Sequence, residues 1–213
     1  MFFCAWFFNK NSCNLTLDYL CKVEQLDLLK EKLRPGKVYR RADLQQLSRS
    51  VDRHLQELVK DGTLEKLSGG LYYVPEQGTF GKVPAEEHAL VEAFLKDNHF
   101  LITSPSDYNA LGVGTTQLYN TRYVYNHKRH GEFKLGNRSF QFVRKPYVPN
   151  KLTSEFLLVD LVNNLDQLAE DQSTVMDKVK EKAGTMDQAS LRKMANKFGK
   201  VRTRKLFNSL LVN

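Results

Sequence analysis

The sequence predicts an α+β chain. Stretches of helical period alternate with short, aromatic or β-branched runs, and proline and glycine separate them at close intervals. From Gln172 onward the helical period stands alone. Together these features predict a small N-terminal unit of helices and a hairpin, then a mixed α/β domain, then a basic helical C-terminal tail.

Residues 17–33 come first, with Leu17, Leu20, Val23, Leu28 and Leu29 at helical spacing. Arg34-Pro35-Gly36 stops that helix, because proline disfavours helical backbone in the residue before it and glycine permits the turn. Val38-Tyr39 suits a short strand. Residues 41–47 suit a short helix with Leu44 and Leu47 facing inward. Ser48 or Ser50 is a good N-cap for the next helix, since its hydroxyl can accept from an orphan amide. In that helix Val51, Leu55, Leu58 and Val59 fall on one face, and Arg49, Arg53 and Lys60 gather near the opposite one. Gly62 suits a left-handed cap. Residues 63–67 and 71–74 then form a hairpin around Ser68-Gly69-Gly70. Helix, turn, helix and hairpin in this order describe a winged helix-turn-helix, placed at residues 16–75.

Residues 75–83 carry one proline and two glycines without any period, which predicts a linker. The second domain is expected over 84–170. It would hold a helix over 84–97, a strand at 100–103, a helix from Ser104 to Leu111, a strand over 118–125, a hairpin turning at Gly136-Asn137, and a helix over 152–168. Residues 171–213 read as two or three basic amphipathic helices.

The 213 residues carry a net charge of +8, so an anionic partner is expected. Residues 172–213 hold ten Lys/Arg against three acids, so most of that excess lies there. The cysteines, Cys4, Cys13 and Cys21, follow no disulfide or zinc spacing and fit a reducing cytoplasm. Residues 1–8 are apolar but too short to span a bilayer, and they lack the features of a secretory signal. Residues 1–15 are read as a disordered leader, and no membrane association is expected.

The nucleic-acid reading names its residues. Arg49 and Arg53, with Ser50 and Gln56, would reach base edges in a major groove, because a guanidinium fork fits guanine and a glutamine fits adenine. Arg40, Arg41 and Lys60 would contact phosphates, and Ser48 joins them at the helix entrance. Lys66 and Ser68 represent the wing. In the tail, Lys200, Arg202, Arg204 and Lys205 are dense enough for phosphate contact. An enzyme is not expected. Asp97-Asn98-His99 and His127-Lys128-Arg129-His130 hold ingredients of acid–base chemistry, but no nucleophile motif or phosphate-cradling glycine loop accompanies them. No cofactor or metal is expected. The alternatives are a stand-alone winged-helix regulator and a protein-interaction module.

Several blocks carry a family resemblance. They are residues 51–55 with 58–62, Leu67-Ser68-Gly69-Gly70-Leu71-Tyr72-Tyr73, Phe80-Gly81-Lys82-Val83-Pro84, Tyr108-Asn109-Ala110-Leu111-Gly112, Thr115-Thr116-Gln117 and Phe142-Val143-Arg144. Over residues 34–168 the chain resembles the AbiEi-type antitoxins and transcriptional regulators of bacterial type IV toxin–antitoxin systems. The resemblance implies an N-terminal domain that binds inverted-repeat double-stranded DNA and represses its own operon; a homodimer on the DNA is a separate expectation. It also implies a second domain that supports neutralisation of a nucleotidyltransferase-like toxin.

Overall fold

A computed structural model describes residues 25–211. The leader at 1–15, all three cysteines and the first part of the helix expected over 17–33 lie outside the described residues. The chain is α+β and divides into two compact units, Met1–Phe94 and Leu95–Asn213.

In the first unit, helix α1 covers 25–32. Strand β1 (Val38–Arg40) leads directly into α2 (Arg41–Leu44), a turn, and α3 (Val51–Lys60). Strands β2 (Glu65–Ser68) and β3 (Leu71–Tyr73) complete an antiparallel sheet of order β1-β3-β2. Its core joins Leu29, Leu44, Val51, Leu55, Leu58 and Leu64. Gly62 (φ +82°) and Gly70 (φ +73°) hold left-handed backbone where the chain leaves α3 and reverses into β3. Leu28 and Leu47, expected inside, are 54% and 38% exposed. Leu47 falls beyond the end of α2, so the helical phase that would bury it has already stopped.

The expected linker at 75–83 is a second hairpin, β4 (Glu76–Gly78) with β5 (Gly81–Val83), every residue of it exposed. The Tyr73 hydroxyl donates to Val83 O at 2.6 Å, and Lys82 pairs with Glu65 at 2.9 Å, so the ribbon is pinned to the first sheet. Helix α4 (Glu87–Leu95) follows.

The second unit holds a four-stranded sheet of order β6-β7-β9-β8: β6 (Leu101–Thr103), β7 (Arg122–Asn126), β8 (Gly131–Leu135) and β9 (Arg138–Arg144). The β7–β9 pair is parallel and the others antiparallel. Between β6 and β7 runs a 3-10 helix, Pro105–Leu111, opened by a capping box from Ser104 and Asp107 and closed by Gly112 at φ +69°. The strand expected over 118–125 begins only at Arg122. Residues 118–121 are a loop, in which Leu118 is exposed. The Thr-Thr-Gln block ahead of it gives two backbone amides, Thr116 and Gln117, to Glu170 Oε1 at 3.1 and 3.2 Å.

Helix α5 (Ser154–Asn164) is followed by α6 (Gln172–Thr185), α7 (Gln188–Phe198) and α8 (Val201–Leu210). Asp171 and Asp187 cap α6 and α7 by accepting from Thr174 N and Ser190 N. The last three helices are not a tail. Val175, Val179, Leu191, Phe207 and Leu211 lie in one core with Leu158, Leu161 and Tyr108. The apolar stripe that a solvated arm would have no use for is thereby buried.

The least expected feature is Asp160, fully buried on α5. Its Oδ2 accepts from the Tyr108 and Tyr125 hydroxyls at 2.8 and 2.7 Å, and its Oδ1 from Lys145 Nζ at 3.2 Å. Asn164 Nδ2 donates in turn to both hydroxyls. Lys145 Nζ also lies 3.4 Å from the Tyr125 ring centroid, close enough for a cation–π contact. Burial, with the Asp160 charge behind it, pushes both tyrosines well above their ordinary range, so each hydroxyl keeps its proton and donates it to the carboxylate while accepting from Asn164. Asp160→Ala is expected to cost about 3 kcal/mol or more, because it leaves a partly buried ammonium and two hydroxyls without their acceptor. Urea unfolding measures this, and Asp160→Asn, which keeps the shape, should cost less.

Candidate nucleic-acid interface

Helix α3 buries Val51, His54, Leu55 and Leu58 and exposes Asp52, Arg53, Gln56, Glu57 and Lys60. At 100° per residue, Arg53, Gln56 and Lys60 point directly away from the buried stripe. Arg53 Nε lies 3.3 Å from Glu57 Oε1, one turn on, and both remain about half exposed. Arg49 precedes the helix, is exposed, and makes no ion pair among the described residues. Lys66 is exposed on β2 and Ser68 is half-buried at the reversal into β3. A register shift between Lys66 and Ser68 marks an irregularity in this ribbon.

Three of the expected contacts around α3 have other tasks. Arg40 closes a two-point contact on Asp43 at 2.8 and 2.7 Å. Arg41 does the same to Asp52, at 2.6 Å for both bonds, and adds Gln45 Oε1 at 3.0 Å. The Arg41 amide donates to Gly70 O at 2.8 Å, so one residue joins α2, the first turn of α3 and the β2–β3 reversal. Its hydrogen bonds hold the Asp52 carboxyl below the usual carboxylate range. Ser48 is buried, its Oγ 2.8 Å from His54 Nδ1, and it accepts from Ser50 N. It therefore braces the turn from inside rather than facing solvent. Ser50 occupies the N-cap position of α3, but its side chain makes no capping bond.

The basic residues of the C-terminal helices also divide. Lys200 donates from Nζ to Asn163 O at 2.6 Å, and its amide donates to Asn163 Oδ1 at 2.8 Å. It ties the start of α8 to the end of α5, where a cation complements the helix dipole. Arg202, Arg204 and Lys205 are exposed along α8. Arg192 on α7 donates to Leu211 O. A shallow open pocket on α7 is bordered by Gln188, Ala189, Arg192, Lys193 and Asn196.

The acid–base candidates do assemble, but as a clasp. Asp97 Oδ1 accepts from His99 N, and Asp97 Oδ2 lies 3.2 Å from Lys128 Nζ. These contacts hold the Asp97 carboxyl below its ordinary range, the amide of His99 first. Lys128 Nζ also caps the carbonyls of Leu95 and Lys96. His127 Nδ1 faces Lys145 O at 2.8 Å and donates to it, since a carbonyl can only accept, and its Nε2 lies 3.0 Å from His99 Nδ1. Both nitrogens of His127 are occupied, and His130 stands exposed outside the clasp. Among the described residues no three His, Cys, Asp or Glu side chains converge as a metal site, and no helix is long and apolar enough to cross a membrane.

Sequence reasoning missed His54 and Asp160. The signal for Asp160 was a lone acid inside the apolar run Phe156–Val162, which demands buried partners. No protein-family model matches the chain, and no curated protein matches it in sequence.

Two outcomes follow for measurement. Desolvation, and then the Arg53 charge, lower the His54 pKa from its ordinary 6.5. Its neutral form is thus favoured by folding. The stability this provides is present above pH 6.5 and is lost as pH falls through the lower folded-state value. His54→Leu should flatten the fall in Tm between neutral pH and pH 5, read by circular dichroism, even if its Tm at neutral pH is lower. Separately, deleting residues 172–213 should abolish cooperative unfolding of the second unit, because it removes Val179, Leu191 and Phe207 from the core. A soluble, cooperatively melting truncated chain would return these helices to the status of a tail.

Proposed function

We propose that the chain is a sequence-specific DNA-binding transcriptional repressor that acts as the antitoxin of a toxin–antitoxin operon, with residues 25–74 working as a winged helix-turn-helix. The observation that carries the DNA reading is α3, which buries one stripe and presents Arg53, Gln56 and Lys60 on the other. Arg49 at its entrance and Lys66 on the following hairpin extend that surface. In this reading α3 enters the major groove, Arg53 exchanges Glu57 for guanine O6 and N7, and Gln56 faces an adjacent base. Lys60 and Lys66 contact phosphates and fix register. The exposed Arg202, Arg204 and Lys205 add sequence-independent attraction, which salt weakens. Arg40, Arg41 and Ser48 shape the turn that presents α3, and Lys200 positions α8.

The antitoxin part of the proposal rests on the resemblance in the Asn-Ala-Leu-Gly and Thr-Thr-Gln blocks. It implies a nucleotidyltransferase-like toxin as partner and the cytoplasm as the place of action. Growth rescue on co-expression with such a toxin encoded next to this gene tests it, and failure of rescue would leave a regulator alone.

Fluorescence anisotropy tests the DNA reading with duplexes from upstream of the chain's own gene and with scrambled duplexes. Arg53→Ala should cost about 1–3 kcal/mol on the operator and little on scrambled DNA. Lys60→Ala should weaken both alike and reduce the log–log salt slope by roughly 0.9. Unchanged sequence preference in Arg53→Ala would remove it from base reading. A complete lack of operator binding, together with a protein partner retained at high salt, would favour the interaction-module reading.

A further inference from the structure

Among the described residues the sheet of the second unit ends in β8, whose only strand partner there is β9. The β8–β9 hairpin turns through two residues, Gly136 and Asn137, with Leu135 opposite Arg138 and Gly136 at φ +61°. A two-residue turn makes Leu135 and Arg138 a hydrogen-bonded closing pair. Pairing then alternates along an antiparallel ladder, so Phe133 and Gly131 also bond to β9. Glu132 and Lys134 are left with their backbone N–H and C=O directed outward, along the open edge. Their side chains share the solvent face, are exposed, and make no ion pair among the described residues. On the other face Leu135 is buried and Phe133 packs edge-on against Phe142, with ring centroids 5.4 Å apart. The strand is therefore anchored on its inner face while its edge groups stay unsatisfied by β9.

We propose that this edge joins a second copy of the same chain, β8 to β8 antiparallel and centred on Phe133. Its geometry is self-complementary in two independent respects. In that register Glu132 stands opposite the second copy's Lys134, and both are residues whose backbone groups point outward. Each such pair exchanges two N–H···O bonds, and the two-fold axis supplies the pair twice. The same register places a carboxylate opposite an ammonium on the solvent face at both positions, an attractive cross-strand arrangement. No neighbouring register does both. A one-residue slip sets outward groups against inward ones, and a two-residue slip sets Glu132 against Glu132 or Lys134 against Lys134. Parallel pairing in register also aligns like charges. Edge strands are commonly defended by charge. Here one acid and one base alternate across a single phenylalanine, so the edge repels misregistered strands and accepts its own copy. The joined sheets form one continuous sheet of eight strands, with Phe133 meeting its counterpart at the axis. None of these residues belongs to the DNA-contacting set, so the dimer stands or falls apart from that reading.

Sedimentation velocity on the full chain, from micromolar to near-millimolar concentration, is the test. The wild-type chain should show a reversible monomer–dimer equilibrium. K134E, which sets Glu132 against a glutamate at both positions, should raise the dimer dissociation constant by roughly tenfold or more. E132K should do the same. The exchanged variant E132K/K134E should restore the wild-type constant, and an equimolar mixture of the two single variants should form a heterodimer. All are surface changes, and circular dichroism checks that each variant is folded. Amide exchange adds a positional readout: Glu132 and Lys134 should gain protection with concentration, whereas Phe133 and Leu135 should be protected throughout. A wild-type chain monomeric across the range, a K134E dimer as strong as wild type, or an exchanged variant that stays monomeric would each overturn the proposal.

Discussion

The second unit is arranged around a carboxylate that water does not reach. Taking the Asp160 charge out of water is costly, and the cost is offset only if several donors arrive in fixed positions. Those donors come from distant parts of the chain: Tyr108 from the 3-10 helix, Tyr125 from β7 and Lys145 from just after β9, with Asn164 at the end of α5 donating to both tyrosine hydroxyls behind them. Satisfying one side chain therefore fixes how α5 meets the sheet. Lys145 extends the constraint, since its ammonium meets Asp160 while its carbonyl receives His127. The histidine clasp and the buried carboxylate are two ends of one hydrogen-bonded chain, and both use residues that could pass for catalytic groups in sequence.

The first unit solves a different problem. Its basic residues are numerous but unequal. Arg40 and Arg41 are matched one-to-one by Asp43 and Asp52, whereas Arg49 and Lys60 are left to solvent. Charge counting treats all four alike. The exposed bridges contribute little stability as isolated pairs, but the Arg41 contacts reach three elements and so define the angle between α2 and α3. Presentation and contact are thus divided between neighbouring residues of the same charge.

Local pattern was legible and long-range pairing was not. The buried stripe of α3 follows a 3.6-residue period and could be read directly, as could the reversals at Gly70 and Gly136. The β4–β5 ribbon could not, because Glu76–Gly78 and Gly81–Val83 bury nothing and so show no alternation. Nor could the Arg41–Asp52 bond, eleven residues apart, or the pairing of Tyr108 with Asp160, separated by fifty-two. Such contacts depend on how elements meet, and period carries no information about that. Of the candidate interface, the Arg53–Gln56–Lys60 face was legible, whereas Ser48 was misplaced because its value as a cap concealed a better use as a partner for the buried His54.

Helices α6 to α8 combine dense positive charge with a buried apolar stripe, and this bears on how the chain is degraded. Proteases that cleave after lysine or arginine need several residues of extended backbone around the bond. The ten basic residues of 172–213 offer many such bonds by sequence, yet all but Lys200 lie on helices whose opposite faces are in the core. Cleavage there waits for the unit to open, so the resistance of these helices is governed by the stability of one hydrophobic core rather than by the number of sites they display.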